Sequence, residues 1–286
     1  MLKIIIFNVG RGFCAFVKSP NKYSMLIDCA CSETFSPILY ILKNELSDVQ
    51  EFKERKLAHF ILSHPHDDHL SDQERLISKL PPWIITGMKN DLEDVKDPEV
   101  PNEQYVNLNA YAKWRGSYTD PVKEWPDWGM DMSHNFGLSN DAAKKISKDP
   151  KQWANNASKP VVIEYGGNKI FFSGDLMTEA WENLLEKTSF KGKIQKTKFF
   201  VVSHHGLKSG YNKKLYEVFK PLVNFVSEKK NEEVYNVYSQ EDHAEGILFN
   251  GETRYMVSTR TGSIILELYE NGAYRVTQKD FPDNIS

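Results

Sequence analysis

His64-Pro65-His66-Asp67-Asp68-His69 places four metal-ligating side chains, His64, His66, Asp68 and His69, within six residues, directly after the apolar run His59-Phe60-Ile61-Leu62-Ser63. Residues two apart on an extended segment share a face, so His64 and His66 point together. Asp68 and His69 then turn back toward them as the chain enters the next helix. A lone histidine is usually a surface or satisfied core residue. Three histidines and two aspartates this close would repel and desolvate one another without a cation, which favours metal ligation.

Such a cluster begins two adjacent metal sites, and about six ligands hold two ions while leaving a position for water. Two other strand ends offer the remainder. Asp175 closes Ile170-Phe171-Phe172-Ser173-Gly174-Asp175, and His204-His205-Gly206 follows Phe199-Phe200-Val201-Val202. All three clusters repeat one order: buried strand, small residue, ligand.

These motifs resemble the metallo-β-lactamase superfamily of metal-dependent hydrolases, over residues 1 to about 270. The superfamily's His-x-His-x-Asp-His signature matches His64, His66, Asp68 and His69, its bridging aspartate matches Asp175, and its last histidine falls within His204-His205-Gly206. Asp28, ending Ser24-Met25-Leu26-Ile27-Asp28, matches the acidic residue that closes an early strand. Within the superfamily, the chain is similar to the hydrolase domain of ComEC-type competence proteins. That likeness rests on Phe7-Asn8-Val9-Gly10-Arg11-Gly12, Asn155-Asn156-Ala157-Ser158, Ser173-Gly174-Asp175, and Ser203-His204-His205-Gly206 with Lys208-Ser209-Gly210.

The chain departs from the pattern in two places. The family turn Asp-Val-Gly-Gln-Gly-Asp is replaced by one carrying Asn8, Arg11 and Phe13, and the third-motif histidine is missing, its equivalent stretch being Asn155-Asn156-Ala157-Ser158. His134 lies upstream and fills in only if its loop folds over the site. One ion is therefore expected to have fewer protein ligands and to bind more weakly.

The resemblance implies an α/β fold, a four-layer αββα sandwich of the metallo-β-lactamase type, and two divalent ions, Zn2+ first and Mn2+ as the alternative. It puts His64 and His66 on one ion, Asp68, His69 and His205 on the other, and Asp175 between them. Two ions about 3.5–4 Å apart share a hydroxide and bring its pKa toward neutrality. Asp68 and His204 are the candidate catalytic residues. His205 is preferred to His204 as the ligand because the superfamily's final ligand directly precedes glycine. His204 then either passes a proton to the leaving group or contacts a phosphate oxygen, or it only orients its loop. Lys208 is a candidate phosphate contact, with Asn156 and Ser158 lining the pocket opposite.

Length and composition suit one compact domain. The 286 residues are 40% hydrophobic and 26% charged, ordinary for a folded chain, and ligand clusters spread from residue 64 to residue 205 must converge. No apolar run reaches the length of a membrane span, and Met1-Leu2-Lys3-Ile4-Ile5-Ile6-Phe7 reads as a strand, so neither a membrane segment nor a signal peptide is expected. Cys14, Cys29 and Cys31 lack a disulfide or zinc-ribbon spacing, which fits a reducing cytoplasm. Cys29 and Cys31 follow Asp28 closely enough to be weighed as zinc ligands against an ordinary role as small buried residues. The net charge of −3 excludes a globally basic nucleic-acid binder, yet eleven lysines fall between Lys187 and Lys230 against Glu217 and Glu228 alone. These either attract phosphates or merely solvate helix faces.

The ligands require strands to carry them. Strands are predicted at Lys3–Phe7, Cys14–Val17, Tyr23–Asp28, Trp83–Ile85 and Leu222–Val226, with a hairpin of Val161–Glu164 and Lys169–Phe172 and another of Ser263–Leu268 and Ala273–Val276. Helices are predicted from Ser36-Pro37, from the histidine cluster to about Leu80, from a Thr178 cap to about Leu185, and over Tyr211–Phe219. From about residue 90 to 155 periodicity fails in a segment holding Trp114, Trp125, Trp128 and Trp153. It reads as an insertion covering the active site, its aromatics either stacking bases or sugars or forming a satellite core. Phosphodiester hydrolysis of DNA or nucleotides is the leading expectation, with nucleic acid as partner. Hydrolysis of a small ester, thioester or lactone is the alternative, and a noncatalytic interaction protein keeping a structural metal is the third.

Overall fold

The computed structural model describes residues 1–10, 12–228 and 233–285; Arg11, Lys229 and Lys230 lie outside them. The chain opens with β1 (Leu2–Ile6), β2 (Ala15–Lys18) and β3 (Ser24–Ile27), each antiparallel to the one before. Helix α1 (Pro37–Asn44) follows. Its first turn is closed by Ser36 Oγ, which accepts from the Leu39 amide, with proline at the first position where no amide donor is missed. β4 (Leu57–Ile61) pairs parallel to β3, and β5 (Ile84–Thr86) lies beyond α2 (Gln73–Lys79) and pairs parallel to β4.

The stretch in which periodicity fails is ordered. It holds α3 (Val106–Gly116), β6 (Asp131–His134), α4 (Asn140–Ile146) and the single turn α5 (Trp153–Asn156). The second sheet continues through β7 (Val161–Tyr165) and β8 (Asn168–Phe172), then α6 (Thr178–Leu184), α7 (Thr188–Ile194), β9 (Phe199–Val201), α8 (Leu215–Val218) and β10 (Val223–Val226). The chain ends with β11 (Ile247–Phe249), β12 (Glu252–Arg254), β13 (Met256–Ser258), β14 (Ser263–Leu268) and β15 (Tyr274–Lys279). Among the described residues one sheet runs β15-β14-β1-β2-β3-β4-β5 and the other β13-β10-β9-β8-β7-β6, with β11 and β12 as a separate hairpin.

Alternation along each strand sorts side chains into layers. Ile6, Ala15, Ile27 and Ile61 stand in register on the first sheet and share one core with Ile163, Ile170, Phe199 and Val223 of the second. Their neighbours face outward onto helices. Phe7 meets Tyr40 of α1 at 5.7 Å between ring centroids, Phe60 meets Trp114 of α3 at 5.9 Å, and Phe171 meets Trp181 of α6 at 6.2 Å. Helix, sheet, sheet, helix is the four-layer αββα sandwich that the resemblance implied.

Local expectations differ at three points. Thr178 is the first residue of α6 rather than its cap, because its hydroxyl donates to the Ser209 and Tyr211 carbonyls. The helix expected over Tyr211–Phe219 shrinks to α8, since Asn212 Oδ1 takes the Lys214 amide in a local turn. α3 carries a weak apolar signal: Leu108 and Tyr111 are its only buried residues, and Asn107 and Asn109 flank Leu108. No helix among the described residues is long and apolar enough to cross a membrane.

Candidate metal centre

β3 and β4 are parallel, as are β8 and β9, so the residues that leave their C-terminal ends gather at one edge of the sandwich. Asp28 leaves β3, the His64–His69 turn leaves β4, Asp175 leaves β8 and His205 leaves β9. Asp28, His204 and His205 adopt left-handed backbone, with φ of 55°, 50° and 55°, conformations that non-glycine residues keep only under surrounding constraint. Gly12 is required outright: its φ is 107°, and a Cβ there would lie 1.9 Å from the Asp68 carbonyl oxygen.

Asp175 Oδ2 is the hub. His69 Nε2 and His205 Nε2 lie 3.5 Å from it and His64 Nε2 lies 3.8 Å away, while His205 Nε2 is 3.7 Å from Asp68 Oδ2. His66 Nδ1 is 3.1 Å from His64 Nε2. The structure thus brings together all six expected ligands, as His64, His69 and Asp175 in one group and Asp68, His69 and His205 in another, with His66 beside His64. His69 belongs to both groups.

These side chains are arranged for a cation. His69 Nε2 and His205 Nε2 are buried without any hydrogen-bond partner, a costly condition unless something else satisfies them. Donors about 2.1 Å from a tetrahedral ion stand about 3.4 Å apart, close to the separations around Asp175 Oδ2. The opposite ring nitrogens are held. His69 Nδ1 meets Asp28 Oδ2 at 2.7 Å, His205 Nδ1 meets the Ser227 carbonyl at 3.1 Å, and His64 Nδ1 lies 3.1 Å from Ser63 Oγ and 3.5 Å from Ser158 Oγ. Nitrogens fixed in this way turn the remaining lone pairs toward the centre.

Charge tells the same story. Burial presses His69 downward, but Asp175 and Asp28 prevail and raise it well above the usual histidine range; His205 is likewise raised by Asp175 against its burial. Asp175, although buried, is drawn well below the carboxylate range by His205, His69 and His64. His64 and His66 are lowered, chiefly by burial. The carboxylates draw positive charge into the cluster, as they would draw a cation.

The centre opens into a cleft of about 1270 Å3 whose walls include His66, Asp68, Asp175 and His204. His204 Nδ1 lies 2.8 Å from Ser209 Oγ. Beyond the ligands the cleft is acidic, with Glu33, Asp67, Glu228, Asp280 and Asp283; Arg260 is its arginine, ion-paired to Glu228, and no lysine lines it among the described residues. Lys208 instead stands over the Tyr235 ring, 5.9 Å from its centre. Of α5, Asn155 lines the cleft and Asn156 turns away, giving its amide to Ser147 Oγ and taking the Met177 amide. Ser158 is fully buried behind the ligands, its Oγ accepting from the Asp175 amide at 3.0 Å.

His134 lies on the far edge strand, paired with Val161 and packed against His59 and Trp125 with ring centroids 5.3 and 5.6 Å away. Trp125 and Trp128 adjoin His59, Trp114 covers Phe60, and Trp153 is buried and donates to the Asp94 carbonyl. From the segment between residues 90 and 155, Gln152 and Asn155 reach the cleft. Cys14 and Cys29 are buried core residues, their thiols raised by burial, while Cys31 lies at the cleft wall.

No protein-family model matches the chain, and no curated protein matches it. Solved structures do. An isothiocyanate hydrolase from Delia radicum gut bacteria shares 11% identity over 97% of this chain and 99% of its own, with a TM-score of 0.47. Zn2+-bound PqqB from Methylobacterium extorquens shares 10% over 80% and 89%, with a TM-score of 0.45. Human tRNase Z, short form, shares 12% over 81% and 95%, with a TM-score of 0.40. The likeness is one of fold.

Proposed function

We propose that this chain is a metal-dependent hydrolase holding two divalent ions among His64, His66, Asp68, His69, Asp175 and His205. One observation carries the reading: two buried imidazole nitrogens, neither closer than 3.5 Å to an acceptor, converge on a single carboxylate oxygen at ion-bridging separations. Bound there, such ions supply an activated water and polarise the bond to be cut. The chain's own residues do the rest. Asp28 and the Ser227 carbonyl fix the two imidazoles. His204, on the cleft wall beside Asp68 and Asp175, is the proton donor to the leaving group.

The cleft supports a small uncharged electrophile, an ester, thioester or lactone, above a nucleic acid. Its described walls carry Glu33, Asp67, Glu228, Asp280 and Asp283, whereas a polyanion is drawn in by basic walls. Three of the lysines at 187–214 make contacts away from the cleft: Lys193 reaches Ser133, Lys198 reaches Asn168, and Lys208 covers Tyr235. Arg260 on the wall keeps phosphodiester hydrolysis as the second reading. Protein reconstituted with Zn2+ or Mn2+ is to be offered esters, thioesters, lactones, bis-p-nitrophenyl phosphate and DNA, beside Asp175→Ala. Turnover of the first group, lost in the variant, supports the ester reading, and turnover of the phosphodiesters alone overturns it. Absence of turnover, together with a His66→Ala variant that loses only thermal stability, points instead to a structural metal.

A further inference from the structure

We infer that Asn155 contributes its carboxamide oxygen to the ion on the His64 side, taking the place of the missing histidine; this rests on the proposed metal centre. Three observations converge. Asn155 Oδ1 is buried and has no hydrogen-bond partner, the same condition as His69 Nε2 and His205 Nε2. The amide's orientation is fixed from its other end, since Nδ2 donates to Gln152 Oε1 at 2.6 Å and faces Met177 Sδ at 3.8 Å. The residue also lines the cleft together with His66 and Asp175.

The surrounding segment is tied to this half of the centre. Three residues on, Ser158 Oγ takes the Asp175 amide and lies 3.5 Å from His64 Nδ1. Asn156 Oδ1 takes the Met177 amide, two residues past Asp175. His205 is held from elsewhere, by the Ser227 carbonyl at its Nδ1. The Asp68–His205 side has two carboxylates within reach of His205, whereas His64, with His66 beside it, meets the Asp175 carboxylate, so a neutral oxygen from Asn155 would add to the side that lacks the third-motif histidine. Carbonyl oxygen is a hard ligand, better suited to Mn2+ than imidazole is, so the two positions differ in the ion they prefer.

The test is metal binding rather than turnover. Wild type, Asn155→Ala, Asn155→Asp and Asn155→His are stripped and titrated with Mn2+ and with Zn2+ against a chromophoric chelator, and the Co2+ forms are compared by visible absorption. Asn155→Ala should weaken one ion by about tenfold or more and leave the other within twofold. Asn155→Asp should restore it, and Asn155→His should shift that position toward Zn2+. Unchanged affinities and an unchanged Co2+ spectrum in Asn155→Ala overturn the assignment, as does equal weakening of both ions in Asn155→Ala and Asn155→Asp. A wild type that binds fewer than two ions overturns the metal centre itself.

Discussion

Replacing Asp28 with asparagine keeps shape and removes one acceptor, and the geometry dictates which. Asp28 Oδ1 accepts from the Ser63 backbone amide at 2.6 Å, a group that can only donate, so the asparagine oxygen must stay there. Its NH2 is then forced to the Oδ2 position, facing Ser63 Oγ at 2.7 Å and His69 Nδ1 at 2.7 Å. His69 Nδ1 can meet that donor only by accepting, which moves the ring proton to Nε2, the atom turned toward Asp175. Imidazole with that nitrogen protonated cannot ligate. Loss of such a supporting partner weakens metal binding by about 10–100-fold, or about 1.4–2.7 kcal/mol. Because His69 belongs to both ligand groups, both ions should weaken. Competition titration with a chelator measures this, and urea unfolding of the stripped proteins checks that Asp28→Asn still folds. If folded Asp28→Asn binds both ions as tightly as wild type, the account of His69 is wrong.

Three further outcomes are expected. Gly12→Ala places a methyl against the Asp68 carbonyl and should cost about 1–3 kcal/mol in urea unfolding while weakening the Asp68-side ion; wild-type behaviour would mean that the first turn does not set Asp68. Metal uptake near pH 7 should release protons, because Asp175 raises His69 and His205 above the usual histidine range and an ion displaces their protons. Calorimetry in buffers of different ionisation enthalpy counts these protons, and affinity should fall as pH falls; zero release contradicts the charge balance drawn here. His59 is lowered well below the usual range, first by burial and then by His134. The unfolded chain therefore binds a proton that the fold refuses, and stability is lost below about pH 6.5 by up to about 1.4 kcal/mol per pH unit. His59→Gln should lessen the drop in urea midpoint between pH 7 and pH 5, and an identical drop would refute the assignment.

The candidate ligands could be found in the sequence because each obeys the same local logic, an apolar strand followed by a small residue and a donor, and parallel neighbours bring such ends together. Helix α1 could be read from its Ser36-Pro37 cap and apolar stripe, and the end of α2 from Pro81-Pro82. What escaped was decided by distant contacts. Asn155 and Asn156 are adjacent on one helical turn, so which of them faces the cleft depends on Ser147 and Met177 taking the other. His134 sits on an edge strand whose partner could not be read from its own polar sequence, Asp131-Met132-Ser133-His134. The lysine-rich stretch adjoins His205 in sequence, but where its side chains go is set by distant partners: Lys193 reaches Ser133, Lys198 reaches Asn168 and Lys208 stands over the Tyr235 ring.

His64, Asp68 and His69 come from one sheet, Asp175 and His205 from the other. An ion bound between them would therefore be a clasp across the sandwich, closed by residues more than a hundred positions apart in the chain. Binding that exists only when both sheets are docked adds to their cohesion, by about 4 kcal/mol at a thousandfold excess over the dissociation constant. Withdrawal of metal would loosen the seam between the halves and expose it to proteases, so the cell's metal supply would set how long the chain survives as well as how fast it works.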